Sequence, residues 1–210
     1  FGTPDIMKMV STPFWLFFGM LAGLLSLSRL ASTGWFRRAI PVICAIPFIV
    51  FPVAQLPLII GWDQYSHAAI AKEYALGIGV RGEYAAYPGS SMLLVSLQVI
   101  QGLDLIMSGA CLAAVLRVIA LLIMYAVAMN LVGKDRAYVA VAVFLLGNLV
   151  FDIYTYYCAQ LLGFVLFLVC VLLYVESAVK PRKSIWALLL SLVGVALIVV
   201  HPFSSLLLIL

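Results

Sequence analysis

The sequence predicts an all-α integral membrane fold: a polytopic helix bundle of six or seven spans with an outer loop carrying juxtamembrane helices. Three observations predict it: the apolar content, the long uncharged runs, and the one-sided placement of the basic residues. Of 210 residues, 66% are hydrophobic and only 10% are charged, and the mean hydropathy is +1.22. Soluble domains run near half apolar and a quarter charged. A soluble chain of this length has too little interior to hide so much apolar surface, whereas a bilayer is itself an apolar solvent and only asks that backbone polar groups be paired internally.

A membrane-crossing helix needs about 20 mostly apolar residues, with some near 17. Such runs fall at 13–28, 39–60, 108–131, 137–150, 159–175 and 185–200, and a seventh starts near Phe203. The second holds Pro41, Pro47, Pro52 and Pro57, which predicts a kinked or partly irregular helix that its neighbours must satisfy. Lys8 before the apolar run 14–27 resembles a signal peptide, and is read as a retained first span. Phe1 at the start and the apolar run to Leu210 fit an incomplete chain. The chain divides into two N-terminal spans over 1–60, a non-cytoplasmic loop with juxtamembrane or re-entrant helices over 61–107, and a helix bundle over 108–210.

Cytoplasmic loops are enriched in Lys and Arg. If the spans alternate, Arg29, Arg37, Arg38, Lys134, Arg136, Lys180, Arg182 and Lys183 all fall on one side, while only Lys8, Lys72 and Arg81 fall on the other. The apolar stretch 92–106 (MLLVSLQVIQGLDLI) would destroy this bias if it crossed the membrane. It is therefore read as an interfacial or re-entrant helix with Gln98, Gln101 and Asp104 as its polar positions. The expected setting is the plasma membrane of a prokaryote, with the Asp63 loop on the non-cytoplasmic side.

That topology gathers three polar clusters at one end: Gly61 to His67 continuing through Arg81, Glu83 and Tyr84 to Tyr87-Pro88-Gly89; Phe151 to Tyr157 around Asp152; and His201-Pro202. A polar loop of roughly 30 residues is longer than a bare connection requires. Each cluster has a plain alternative. Trp62, Tyr65, Tyr154, Tyr156 and Tyr157 suit an interfacial aromatic belt. Asp63 suits the N-cap of a helix over 64–76, Lys72 and Glu73 suit a solvated face, Asp152 suits a loop acid, and His201 an interfacial histidine. Arg117 lies within the third span, where a central arginine costs about 2.5–3.5 kcal/mol on insertion scales. A structural ion pair and a lipid-phosphate contact both account for it. The four cysteines, Cys44, Cys111, Cys158 and Cys170, have no metal-binding or disulfide spacing, and read mainly as small apolar residues. The scattered basic residues form no nucleic-acid-binding stripe.

An acidic residue just outside an early span, followed by an outer helix, a YP-G turn and another helix, is carried here by WDQYSHAAIAKEYALGIGVRGEYAAYPGSSMLL. With YYCAQLLGFVLFLVCVLLYV and HPFSSLLLIL, this stretch resembles the GT-C superfamily of membrane glycosyltransferases, especially prokaryotic and archaeal members. The resemblance covers residues 60–210. It implies an inverting transferase that takes sugar from a polyprenyl-phosphate donor at the outer face, with this chain an N-terminal part. By that resemblance Asp63 is the catalytic acid–base residue, and His67, Arg81, Tyr87, Arg117 and His201 are candidates for substrate binding. Lys72, Arg81 or Arg117 would steady the departing phosphate, or Asp63 with Asp152 would hold a divalent cation, Mg or Mn, for the same purpose. The sequence has no second acid beside Asp63 and no WWDYG-like motif, which separates it from oligosaccharyltransferases. The implied partners are the bilayer, the lipid-linked donor and other membrane proteins. A non-catalytic scaffold subunit is the alternative, and a lipid or solute transporter is a weaker one, because transport pathways need more polar lining than Arg117 alone supplies.

Overall fold

The computed structural model describes residues 34, 62–79, 88–134, 136–138, 140–141, 159–179 and 183–201. Among the described residues the chain is helical, with five principal helices: α1 (Trp62–Ala75), α2 (Gly89–Gln101), α3 (Leu105–Val132), α4 (Ala159–Val179) and α5 (Lys183–Val200). Two of them, α3 and α4, are long and apolar enough to cross a membrane, and α5 is a shorter apolar helix. These three match the expected spans at 108–131, 159–175 and 185–200. Expected spans one and two, most of span four and the start of the seventh lie outside the described residues.

Local chemistry sets the helix ends. At the end of α1, Gly77 adopts φ +67°; its N–H donates to the Tyr74 carbonyl (3.1 Å) and the Ile78 N–H to that of Glu73 (2.9 Å). This is the Schellman arrangement, in which a left-handed glycine lets the chain turn back and pair the last carbonyls. Between α2 and α3 a second left-handed glycine, Gly102, donates to the Gln98 carbonyl (2.8 Å). Asp104 then caps α3, its carboxylate accepting from the Ile106 and Met107 N–H groups at 2.9 Å each. The stretch 92–106 is thus not one helix as expected. It is a helix ending at Gln101, a three-residue turn, and the start of α3. Asp104, expected as a polar face position, is the N-cap that fixes the break.

A single apolar cluster joins Ala71 of α1, Leu94 of α2, Leu112, Leu116 and Ala120 of α3, Leu161, Val165 and Leu168 of α4, and Val200 of α5. Near the other end, Asn130 of α3 donates to Glu176 of α4 at 3.1 Å. An apolar seam ending in that bond requires α3 and α4 to run parallel. With only three residues between them, α4 and α5 form an antiparallel pair, and the last turn of α5 reaches the start of α2. A Cβ placed on Gly89 would lie 3.0 Å from Val200 Cγ2 and 3.5 Å from the Val199 carbonyl oxygen. Glycine is what permits α2 to seat there.

The outward surfaces remain apolar. On α3, Val115, Ile119 and Leu122 are exposed along one face, and on α5 Ile185, Leu188, Leu192, Val195 and Val199 form a similar stripe. Single exposed apolar side chains are ordinary, but contiguous stripes this long on two helices are not.

Gly89→Val should lower the thermal midpoint of the purified protein in detergent, with overpacking costing about 1–3 kcal/mol. Gly194→Ala in α5, where nothing lies within 4 Å of an added Cβ, should leave it unchanged or raise it. Asp104→Ala should cost about 1 kcal/mol through the lost cap, read by the same melt.

Candidate functional site

The polar residues lie on α1, on α2 and directly after α5, elements that share one apolar cluster through Ala71, Leu94 and Val200. On α1 the inward face carries His67 and, one turn on, Ala71, at 3% and 0% exposure. Position 63 falls one turn before His67 on that same face. Asp63 lies inside the first turn of α1, which begins at Trp62, so it is not the N-cap of a helix over 64–76. Lys72 and Glu73 are exposed on another face of α1, as expected for a solvated pair. Lys72 therefore points away from His67 and is poorly placed to steady a phosphate beside it.

Pro88 precedes α2 and provides no side-chain cap. The first turn of α2 is Gly89-Ser90-Ser91, with both serines buried. Early N–H groups of a helix lack intrahelical partners and carry the positive end of its dipole, so this turn is electropositive. Against it sits the last turn of α5, followed directly by half-buried His201, whose N–H donates to the Leu197 carbonyl at 2.8 Å. Burial pushes the His201 imidazole below its usual range, because desolvation penalises the charged form. At neutral pH it is an uncharged donor–acceptor.

Arg117 lies midway along α3 and is 7% exposed. Helical periodicity puts it with Ala110, Ala114 and Leu121, all buried, and away from the Leu116–Ala120 seam that packs on α4. His67, Ser90, Arg117 and His201 each have an interaction partner. Burial of Arg117 with a partner answers half of the sequence question: the side chain faces protein rather than the exposed apolar stripe.

The structure therefore brings the Pro88-Gly89 turn and His201 together, parts of two of the three expected clusters, while His67 is buried on α1, which packs against α2 and α3. Arg81, Tyr87 and Asp152 lie outside the described residues, so the proposed Asp63–Asp152 cation pair does too. No group of three metal-ligating side chains occurs among the described residues. Sequence reasoning passed over Ser90, Ser91, Ser108 and Gln160. Ser108 is fully buried, and its Oγ and the Gln160 Oε1 are buried without a hydrogen-bond partner, an arrangement that costs free energy. Two consecutive serines opening an otherwise apolar helix was the available signal for the first pair. Of the cysteines, Cys170 is buried and Cys111 half-buried, both as free thiols, consistent with apolar packing roles.

Comparison of the chain with protein-family models, with curated proteins and with solved structures returns no match.

Because the folded state lowers the His201 pKa, the unfolded chain binds its proton more readily. The contribution of a neutral His201 to stability is present above the unfolded value of about 6.5 and is lost as pH falls through it. Thermal midpoints measured from pH 8 to pH 5 should fall more steeply for the wild type than for His201→Gln. Equal slopes would show that His201 does not carry the effect.

Proposed function

We propose that the chain is an integral membrane protein that acts as a glycosyltransferase of the GT-C type, moving sugar from a lipid-phosphate donor to an acceptor at the end of the bundle where α1, α2 and α5 meet. One observation carries the reading. The two segments bearing the family-like pattern, the Asp63-to-Gly89 stretch and His201, converge through the Gly89–Val200 contact although more than a hundred residues separate them. The exposed apolar stripes of α3 and α5 support the membrane setting, as does the length of α3 and α4.

In this reading the acceptor hydroxyl oxygen attacks the anomeric carbon as the bond from that carbon to the lipid-phosphate oxygen breaks, with inversion. The phosphate leaves with the bonding electron pair, and the hydroxyl proton passes to the Asp63 carboxylate. In this reading Asp63, one turn before buried His67 in α1, is the base. The electropositive first turn of α2 and a neutral His201 supply hydrogen-bond donors for an anionic leaving group. Arg117 supplies the fixed positive charge within the bundle. The basic-residue bias supports non-cytoplasmic placement of this end, and the family resemblance supports a prokaryotic plasma membrane. A divalent cation between Asp63 and Asp152 is the metal-assisted form of the same proposal.

The test is transfer from a radiolabelled polyprenyl-phosphate sugar in membranes expressing the whole protein. Asp63→Asn should cut the rate by about 10²–10⁴-fold with unchanged membrane insertion. Full activity in that variant removes Asp63 as the base. An inactive wild type that co-purifies with a fixed partner, unaffected by Asp63→Asn, favours the scaffold reading instead.

A further inference from the structure

The helix that the function leaves unexplained is α2, which stays apolar on the side that does not pack. Its inner side carries Ser90, Ser91 and Leu94, all buried. Its outer stripe carries Met92, Ser96 and Val99 at helical spacing, with Ile100 beside them and exposed Leu103 in the turn that follows; Val99 and Ile100 are 77% and 78% exposed. We infer that this outer stripe lies against lipid acyl chains, so that α2 and α3 form a re-entrant hairpin. The inference rests on the membrane reading of α3 and α4, and extends it to a helix too short to cross.

Three observations choose lipid over water or a second protein. First, α2 contains no ionisable side chain, and its one outward hydroxyl, Ser96 Oγ, donates to the Met92 carbonyl of its own helix at 2.8 Å. A side chain satisfied in this way asks nothing of its surroundings. Exposed Ser191 on the apolar stripe of α5 does the same with the Ala187 carbonyl at 2.9 Å.

Second, the helix registers tilt α2 inward. From the Asn130–Glu176 bond, α3 rises about 37 Å to its start and α4 only about 25 Å. The last turn of α5 lies near the start of α4, and Gly89 packs on that turn. The N-terminal end of α2 is thus about 12 Å deeper than its C-terminal end, which adjoins the start of α3. Over a helix about 19 Å long, that is a steep descent, not a helix lying across the bundle end.

Third, one face of α3 changes character at the depth this predicts. Ser108 and Leu112 on that face are buried, while Val115, Ile119 and Leu122 further along it are exposed. A 12 Å descent corresponds to about eight residues of α3, so the N-terminal end of α2 lies beside residue 113. The outer stripe of α2 and the open stripe of α3 then form one continuous apolar surface.

Nitroxide labels on the full-length protein test this, at Met92→Cys, Val99→Cys and Leu103→Cys in a background with the native cysteines replaced by alanine. The protein is reconstituted in vesicles of phosphatidylcholine and phosphatidylglycerol, with oxygen as the apolar relaxer and a neutral nickel chelate as the aqueous one. The expected result is oxygen access at all three sites, with the oxygen-to-nickel ratio rising severalfold from Leu103 to Met92. Nickel access at all three overturns the inference, and so does protection from both reagents, which would mean a protein covers the face. Leu122→Cys separates the two levels of the argument. Oxygen access there with nickel access on α2 overturns only the hairpin, whereas nickel access at both overturns the membrane reading as well. With the native cysteines retained, Ser96→Asp should reduce the yield of folded protein from membranes severalfold, and Ser96→Ala should not. Equal yields would overturn lipid contact.

Discussion

The seat of Gly89 on the last turn of α5 is the contact on which the remaining arrangement depends. A helix entering an apolar bundle by its N-terminus brings unpaired N–H groups and two serines with it, and a side chain at residue 89 would hold it off. With only hydrogen there, the backbone of α2 approaches Val199 and Val200 closely. Ser90 and Ser91 are then covered, and Leu94 reaches the cluster shared by α1, α3, α4 and α5. His201 is placed beside the Pro88-Gly89 turn by the same contact, since it follows Val200 directly. Packing and site geometry have one cause.

A second constraint shapes the outer surface. In a medium without water, each polar side chain must find its partner inside the protein. Ser96 and Ser191 bond to the carbonyl four residues back. Asn130 donates both to its own helix at Ala126 and across to Glu176. The second of these bonds does structural work beyond satisfaction, because it fixes the register of α3 against α4 at the end remote from α2. Between the two ends the seam is lined by the apolar side chains Leu112, Leu116, Ala120, Leu161, Val165 and Leu168.

The fold was legible where it depended on hydropathy. The apolar runs at 108–131, 159–175 and 185–200 reappear as helices α3, α4 and α5 with ends moved by a few residues, because an apolar run bounded by Asp104 or Lys183 has few other ways to sit. Of the three, α3 and α4 are long and apolar enough to cross a membrane. The stretch 92–106 was misread as one helix because apolar content masks a turn. The signals were present in Gly102 and Asp104, a left-handed C-terminal glycine followed by an N-cap, but Asp104 was read as a polar face position and Gly102 was passed over. Asp63 was misplaced for the converse reason. A favoured capping residue one position inside a helix looks the same in sequence as one at its boundary. The convergence of His201 with the Pro88-Gly89 turn was legible only through topology, from counting crossings by basic residues. That Gly89 makes the contact could not be read from sequence, because a glycine after proline serves an ordinary turn equally well.

Arg117 shows how these constraints meet in one side chain. A cation in the middle of an apolar helix is costly, and Arg cannot lower that cost by losing its proton. Facing the exposed stripe at Val115 and Ile119, it would have to stretch toward a distant interface. Periodicity instead turns it inward with Ala110 and Ala114, small residues that leave room for a long side chain beside the α3 backbone. An arginine held this way is a permanent charge in a low-dielectric setting, where each interaction with an anion is stronger than in water. In the proposed transferase that charge would hold the phosphate during bond cleavage, whereas in a scaffold it would serve a structural pair only. Replacement of Arg117 by leucine separates the two readings: a scaffold should keep its function, whereas a transferase should lose turnover.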